Sequence, residues 1–188
     1  VPVRRFLGAT LNIDGKSQPL KPFIYNTITP EATNGVIAAP LYYVGKGNLH
    51  DLDGKNIKDA IVLMDFDSGR NWQILASLGA KALIYLENEA TSGNVFFNEK
   101  HELSPLQFPC FWMKRKTADN LFGAYTDNTS SPIAQVELQS KTVWENFLAR
   151  NIYALIPGTD PQLNQELLIL EAFFDNNEFV VGDSPGAD

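Results

Sequence analysis

Cysteine and histidine are the scarcest chemistry in this chain of 188 residues, which has one cysteine, Cys110, and two histidines, His50 and His101. A single cysteine excludes an intrachain disulfide. Its setting, Phe108-Pro109-Cys110-Phe111-Trp112, is apolar and reads as a buried small hydrophobe rather than a nucleophile. So small an inventory cannot build a Cys/His zinc cluster. Neither histidine stands in a recognisable Ser or Cys arrangement, and the G-x-S-x-G elbow is absent. Positive charge is in deficit, with 15 Lys and Arg against 22 Asp and Glu, so the net charge is −7. That balance argues against nucleic acid and against anionic membrane surfaces as partners. No apolar run approaches the roughly 20 residues needed to span a bilayer. The opening Val1-Pro2-Val3-Arg4-Arg5 leads into a polar segment and does not read as a signal peptide. Without a starting Met, a mature or trimmed product is expected.

What is present is an ordinary globular composition, 44% apolar, in a chain long enough for one domain or one and a half. The chain is organised around residues 39–86. Leu41 to Val44 is an apolar, aromatic and β-branched run that stops at Gly45, and Ile61 to Met64 is a second run, stopped by the turn Asp65-Phe66-Asp67-Ser68-Gly69. Trp72, Leu75 and Leu78 recur every third residue, which predicts a helix, with Gly79 as its stop and Ser68 or Asp67 as its cap. Ala82 to Leu86 is the third apolar run. Residues 60–86 therefore read strand–helix–strand, a parallel pair with a right-handed crossover.

Residues 1–35 read as lead-in strands that pack on the main domain. Asp14-Gly15 is their hairpin turn, and Pro22 marks Leu20 to Tyr25 as an edge strand or extended segment. Between Gly45 and Ala60, His50, Asp51 and Asp53 allow a metal reading, but carboxylates so closely spaced in a loop more simply form a solvated connector. Arg70 reads as a surface residue before a binding one. Residues 87–107 are a long polar excursion of the kind that serves as a functional loop or lid. Phe108 to Met113 is a fourth run, and Lys116 to Gly123 a short helix with Thr117 as its cap. Asn128-Thr129-Ser130 is a formal glycosylation sequon short enough to arise by chance. Ile133 to Leu138 alternates as a half-buried strand.

Three pieces of this core, Ala39-Pro40-Leu41-Tyr42-Tyr43-Val44-Gly45, Gly54-Lys55 before Ile61-Val62-Leu63-Met64, and Leu78-Gly79-Ala80-Lys81-Ala82-Leu83-Ile84, resemble the protease-associated domain. That domain is an insert in many secreted and vacuolar peptidases and in sorting receptors. The resemblance covers roughly residues 36–123 and keeps order and spacing. It implies a mixed α/β fold, a β-sandwich or barrel-like sheet with short flanking helices, over residues 36–140.

From about Thr142 the character changes. Asn151 to Ile156 reads as a strand closed by Pro157-Gly158, and Glu166 to Phe174 as a strand apolar on both faces, with Asp175 at its carboxyl end. These segments, with Ser184-Pro185-Gly186-Ala187-Asp188, resemble the opening of a co-catalytic zinc peptidase domain, the family of bacterial secreted aminopeptidases and glutamate carboxypeptidase. The resemblance makes residues 141–188 the start of a peptidase-like α/β sheet. It places Asp175 at the family's aspartate that orients the zinc site and Asp188 at its metal-bridging aspartate. Phe173 occupies the position of a zinc-binding histidine, and a phenyl ring has no lone pair for a metal. In their own right Asp175 is also an ordinary turn residue before Asn176-Asn177, and Asp188 simply the last residue of the chain.

The resemblances imply zinc in the full-length parent, a protein or peptide substrate, and a secreted, cell-envelope or periplasmic location. Three functions stay open. The chain is a non-catalytic module that shapes substrate access or protein contacts, a fragment of an active zinc-dependent aminopeptidase or carboxypeptidase, or a pseudopeptidase scaffold. Phe173 favours the third over the second.

Overall fold

The computed structural model describes residues 2–23, 33–87, 108–127, 129–148, 150–163 and 166–171. Seven strands close into a barrel in the order β1-β2-β6-β5-β4-β3-β7. In chain order they are β1 (Pro2–Ile13), β2 (Lys16–Pro22), β3 (Ile37–Tyr43), β4 (Ile61–Asp65), β5 (Ala82–Glu87), β6 (Cys110–Lys114) and β7 (Ala134–Asn146). Among the described residues two helices accompany them, α1 (Trp72–Ser77) and α2 (Arg115–Phe122), with a 3-10 turn at Leu49–Leu52.

The four strands β3 to β6 run parallel, in the registers Leu41↔Ile61, Ile61↔Ala82 and Leu83↔Cys110. Side chains alternate across a strand, so this wall feeds two cores. Ala39, Leu41, Ile61, Leu63, Ala82, Ile84, Leu86, Phe111 and Met113 point into the barrel, where they meet Leu11 and Leu20 of the hairpin and Val136 and Leu138 of β7. Tyr42, Val44, Val62, Met64, Leu83, Tyr85 and Cys110 point outward, under Trp72 and Leu75 of α1 and Leu52 and Ile57 of the preceding connection. The continuous apolar runs of β4 and β5 are the signature of strands buried on both faces.

The sequence expectations hold for the hairpin and for the helix stop. Asp14 and Gly15 have φ of 47° and 77°, and Ile13 pairs with Lys16, the geometry of a two-residue primed turn. Gly79 has φ of 87°; its N–H bonds Ala76 O, and the Ala80 N–H bonds Leu75 O, the paired bonds of a Schellman ending. Cys110 is buried. The lead-in segment supplies β1 and β2, two full staves of the barrel.

Other expectations are corrected. Pro22 lies on no free edge: it pairs with Phe111 where the barrel closes between β2 and β6. The β2–β6 ladder covers only Lys21↔Trp112 and Pro22↔Phe111, so the proline sits where few hydrogen bonds are asked of it. Neither Ser68 nor Asp67 caps α1. Asn71 holds the cap position with helical backbone angles and no side-chain capping bond, its amide turning instead to Lys46 O and Asn48 Oδ1, and the chain is already turning there through Asn71 N–H to Ser68 O. Thr117 does not cap α2, which begins two residues earlier behind Lys114. The last strand of the barrel does not stop at Leu138 but continues to Asn146.

By contact the chain divides into two compact units, Arg4–Glu145 and a second made of Val1–Val3 with Asn146–Asp188. In the second, residues 151–156 and 166–171 form no strand, against expectation. A strand exists only through its ladder partners, and neither segment has one among the described residues. Their apolar side chains are exposed instead, from Ile152 and Tyr153 to Leu168 and Leu170. The turn expected at Thr159-Asp160-Pro161 forms just later, over residues 161–163, with Asp160 Oδ1 accepting the N–H groups of Gln162 and Leu163, which draw the Asp160 carboxyl below its usual range. The part of the 166–174 expectation beyond Glu171 lies outside the described residues, as does most of the 87–107 excursion.

Leu63 is fully enclosed in the inner core. Leu63→Ala should destabilise the barrel by about 2–5 kcal/mol. In chemical denaturation the midpoint should fall with little change in slope, since the surface exposed on unfolding is nearly the same.

Candidate functional site

Parallel β3 to β6 end on one rim of the barrel, at Tyr43, Asp65, Glu87 and Lys114. This is the rim where parallel sheets gather their functional side chains. Helix α2 lies across it against β5 and β6, with Ala118 buried in the inner core and Leu121 and Phe122 packed beside it.

The connection after β3 needs its glycines. Gly47 has φ of 68°, and a Cβ there would stand 2.3 Å from the Met64 methyl. Its N–H bonds Val44 O at 2.7 Å, and the Asp65 N–H bonds Gly45 O at 2.8 Å. The turn after β3 is thereby stitched to the end of β4, which brings Tyr43 and Asp65 side by side.

Asp65 is the centre of the rim. Its Oδ1 accepts the Tyr43 hydroxyl at 2.8 Å and the guanidinium of Arg115, the first residue of α2. Burial, and then the Asp65 carboxylate, push the Tyr43 phenol up to about 12. Burial opposes the Arg115 charge, but Asp65 and the Tyr43 oxygen outweigh it and hold the guanidinium protonated. Tyr125 packs edge-on against Tyr43, with centroids 4.8 Å apart, and donates to Asp119 Oδ1 at 2.8 Å. Burial, followed by Asp119, raises Tyr125 as well.

Beside this group lies a polar connection. Asp51 is buried; its Oδ2 accepts the Asn48 N–H at 2.9 Å and the Asn48 amide at 3.0 Å, while Oδ1 faces His50 Nε2 at 2.7 Å. Lys55 donates to the carbonyls of Asp51 and Asp127. Lys46 pairs with Asp67 at 2.8 Å in full view of solvent. Of the sequence candidates for a metal, His50 and Asp51 meet, but Asp51 is committed to the 3-10 turn and Asp53 is exposed. Among the described residues no group of three or more His, Cys, Asp or Glu is placed to hold a metal. The zinc implied for the parent therefore finds no fit in the described part. Asp175, Asp188 and Phe173, which carry that implication, lie outside it.

Chemically, the rim's polar groups satisfy one another. A phenol near 12 is a donor at neutral pH, and it already donates to Asp65. The Asp65 carboxylate is shared between two donors. His50 sits against an aspartate, but the bonds it makes here link it to no hydroxyl or thiol. Sequence reasoning did not single out Tyr43, Asp65, Arg115 or Tyr125. Asp65 was legible as a turn residue, and its position at the carboxyl end of a doubly buried run was the signal that raises it above one. Arg115 and Tyr125 had no local signal, since the counter-ion of Arg115 is 50 residues away and the ring that Tyr125 packs against, Tyr43, ends a strand far earlier in the chain.

No protein-family profile and no curated protein matches this chain. Solved structures do. A zinc aminopeptidase from Bacillus subtilis is similar at 20% identity and a TM-score of 0.43, over 77% of this chain and 33% of that one. A peptidase M28 precursor from Shewanella amazonensis SB2B matches at 16% identity and 0.46, over 77% and 36%. A subtilisin-like protease, Apa1, from Pseudoalteromonas sp. AS-11 matches at 17% identity and 0.43, over 74% and 33%. The chain spans about a third of the length of these proteins.

The raised Tyr43 phenol has a sign that can be read in stability. Its folded pKa lies above the unfolded value of 10.0, so its contribution is complete below pH 10 and is lost as the pH rises toward 12. Tyr43→Phe should remove a tyrosinate absorbance step near pH 12 and flatten the fall in stability over that window. At neutral pH the same substitution should cost about 1 kcal/mol for the lost hydrogen bond.

Proposed function

We propose that the barrel is a protease-associated module with no chemistry of its own, followed after the last barrel strand by the opening of a zinc-peptidase-like domain. The observation that carries this reading is the commitment of the rim. Asp65, Tyr43 and Arg115 satisfy one another and tie β3, β4 and α2 together, so the polar groups at the functional end of the parallel strands are spent on shape. A rim of that kind serves to position a peptide or protein. The order of motifs over residues 36–123 supports the module, and secretion or placement in the cell envelope follows from the same resemblance.

A second reading is favoured by Phe173. If the parent has lost a zinc-binding histidine there, its peptidase fold has become an interaction scaffold, and Asp175 and Asp188 are what remains of the site. The third reading, an active zinc exopeptidase that activates water between two metals, needs another ligand in place of Phe173.

The test uses the full-length parent and its Phe173→His variant, with zinc counted by metal analysis and calorimetry and peptide trimming followed alongside. A parent without zinc whose variant binds it identifies a decayed site and the scaffold. A parent that binds two zinc ions and trims peptides identifies the enzyme. In that enzyme Lys46→Glu on the barrel rim should alter KM for long peptides several-fold and leave turnover of an amino-acid amide unchanged. An equal loss on the amide overturns the non-catalytic role.

A further inference from the structure

The seam between β2 and β6 is short, with two paired positions and the Phe23 N–H to Cys110 O bond beyond them. Toward α2 the strands part and leave a cavity of about 270 Å³. This is below the roughly 300–1,000 Å³ of pockets for drug-sized ligands, and suits a single side chain or a chain end. Its floor is apolar, made by Leu20 and Met113, whose side chains belong to the inner core. One wall is the ring of Trp112, and the Lys21 ammonium stands over that ring, 4.4 Å from its centroid. Lys114 borders the cavity beyond Trp112, and Gln18 lies on the β2 side.

The charges set this cavity apart. No acidic side chain lines it among the described residues, although the chain as a whole carries −7. Neither Lys21 nor Lys114 pairs with a carboxylate among those residues, in contrast to Lys46 with Asp67 and Lys81 with Asp59. Lys21 is held in place by the indole face instead. A cation on a ring keeps most of its field available to a further anion, and the ring gives an apolar stem something to lie on.

We propose that this slit receives a carboxylate borne on a short apolar stem, supplied by an acidic residue or by the free end of a peptide. The carboxylate would meet Lys21 and Lys114, and the stem would lie against Trp112 over Leu20 and Met113. The site stands whether or not the parent protein cleaves peptides, so its failure leaves the proposed module untouched.

The experiment follows the Trp112 indole N–H by NMR in the full chain, assigned through Trp112→Phe. Three probes are titrated: acetyl-Leu-Glu-amide, its glutamine counterpart acetyl-Leu-Gln-amide, and acetyl-leucine with a free carboxylate. Saturable shifts of Trp112 with the glutamate probe or with acetyl-leucine, and none with the glutamine probe, are expected. Which of the two carboxylates binds more tightly separates an acidic side chain from a chain terminus. Combined Lys21→Gln and Lys114→Gln should raise Kd about tenfold or more, and added salt should weaken binding in the unaltered chain. The indole signal of buried Trp72 reports that the variant is folded. Equal shifts with the glutamine probe, no shift with either carboxylate, or an unchanged Kd in the folded variant would overturn the proposal.

Discussion

Everything in the barrel depends on one constraint, that a parallel sheet must be covered on both faces. The four strands β3 to β6 meet it with two different covers. Inside, the β1–β2 hairpin and β7 bend the sheet closed, and their alternating residues fill the interior. Outside, α1 and the connection before β4 lay Trp72, Leu75, Leu52 and Ile57 over Val62, Met64 and Tyr85. The wall is thus a shared partition between two cores. A residue removed from β4 or β5 is felt on the side it faces, while its neighbours in sequence still hold the other.

That partition also explains where the polar chemistry can go. With both faces occupied, only the ends of the strands reach water. At the carboxyl ends the exposed carbonyls, the glycine-bearing turns and the start of α2 meet, and there the chain places Tyr43, Asp65 and Arg115. Burial near the partition raises the stakes of each polar group, since an unpaired one is costly. The observed answer is mutual satisfaction: one carboxylate oxygen serves a phenol and a guanidinium together. The β2–β6 seam resolves the same pressure differently. There the strands separate before the rim, and the gap is left with an aromatic wall and cations.

Local signals in the sequence carried the elements whose causes are local. Asp14-Gly15 demanded a two-residue turn, Gly79 a helix stop, and the uninterrupted Ile61-Val62-Leu63-Met64 a strand; all three are present. Caps were harder to read, because Ser68 and Thr117 look like caps from composition alone while the actual entry into each helix is set by the preceding turn and strand. Beyond the parallel β4–β5 pair that the strand–helix–strand pattern announced, pairings between distant strands were not legible. Nothing near Pro22 says that Phe111 lies opposite it, and nothing near Arg115 says that Asp65 is its counter-ion. The rim was therefore visible only as a place, the ends of parallel strands, and its members came from tertiary contact.

The two ends of the chain's apolar content sharpen the same point. Leu83 and Ile84 in β5 and Leu168 and Ile169 in the later run are equally apolar, yet the first pair is fully buried and the second largely exposed. Composition does not separate them; partners do. β5 has a strand on each edge and a core on each face, whereas 166–171 has no ladder among the described residues. At about 1.5–3 kcal/mol for each large apolar side chain taken from water, a run such as Leu167-Leu168-Ile169-Leu170 represents a large unspent driving force. Such a force is the physical content of the proposal that these residues open a second sheet: they carry the pattern of a central strand and lack only the neighbours that make it one.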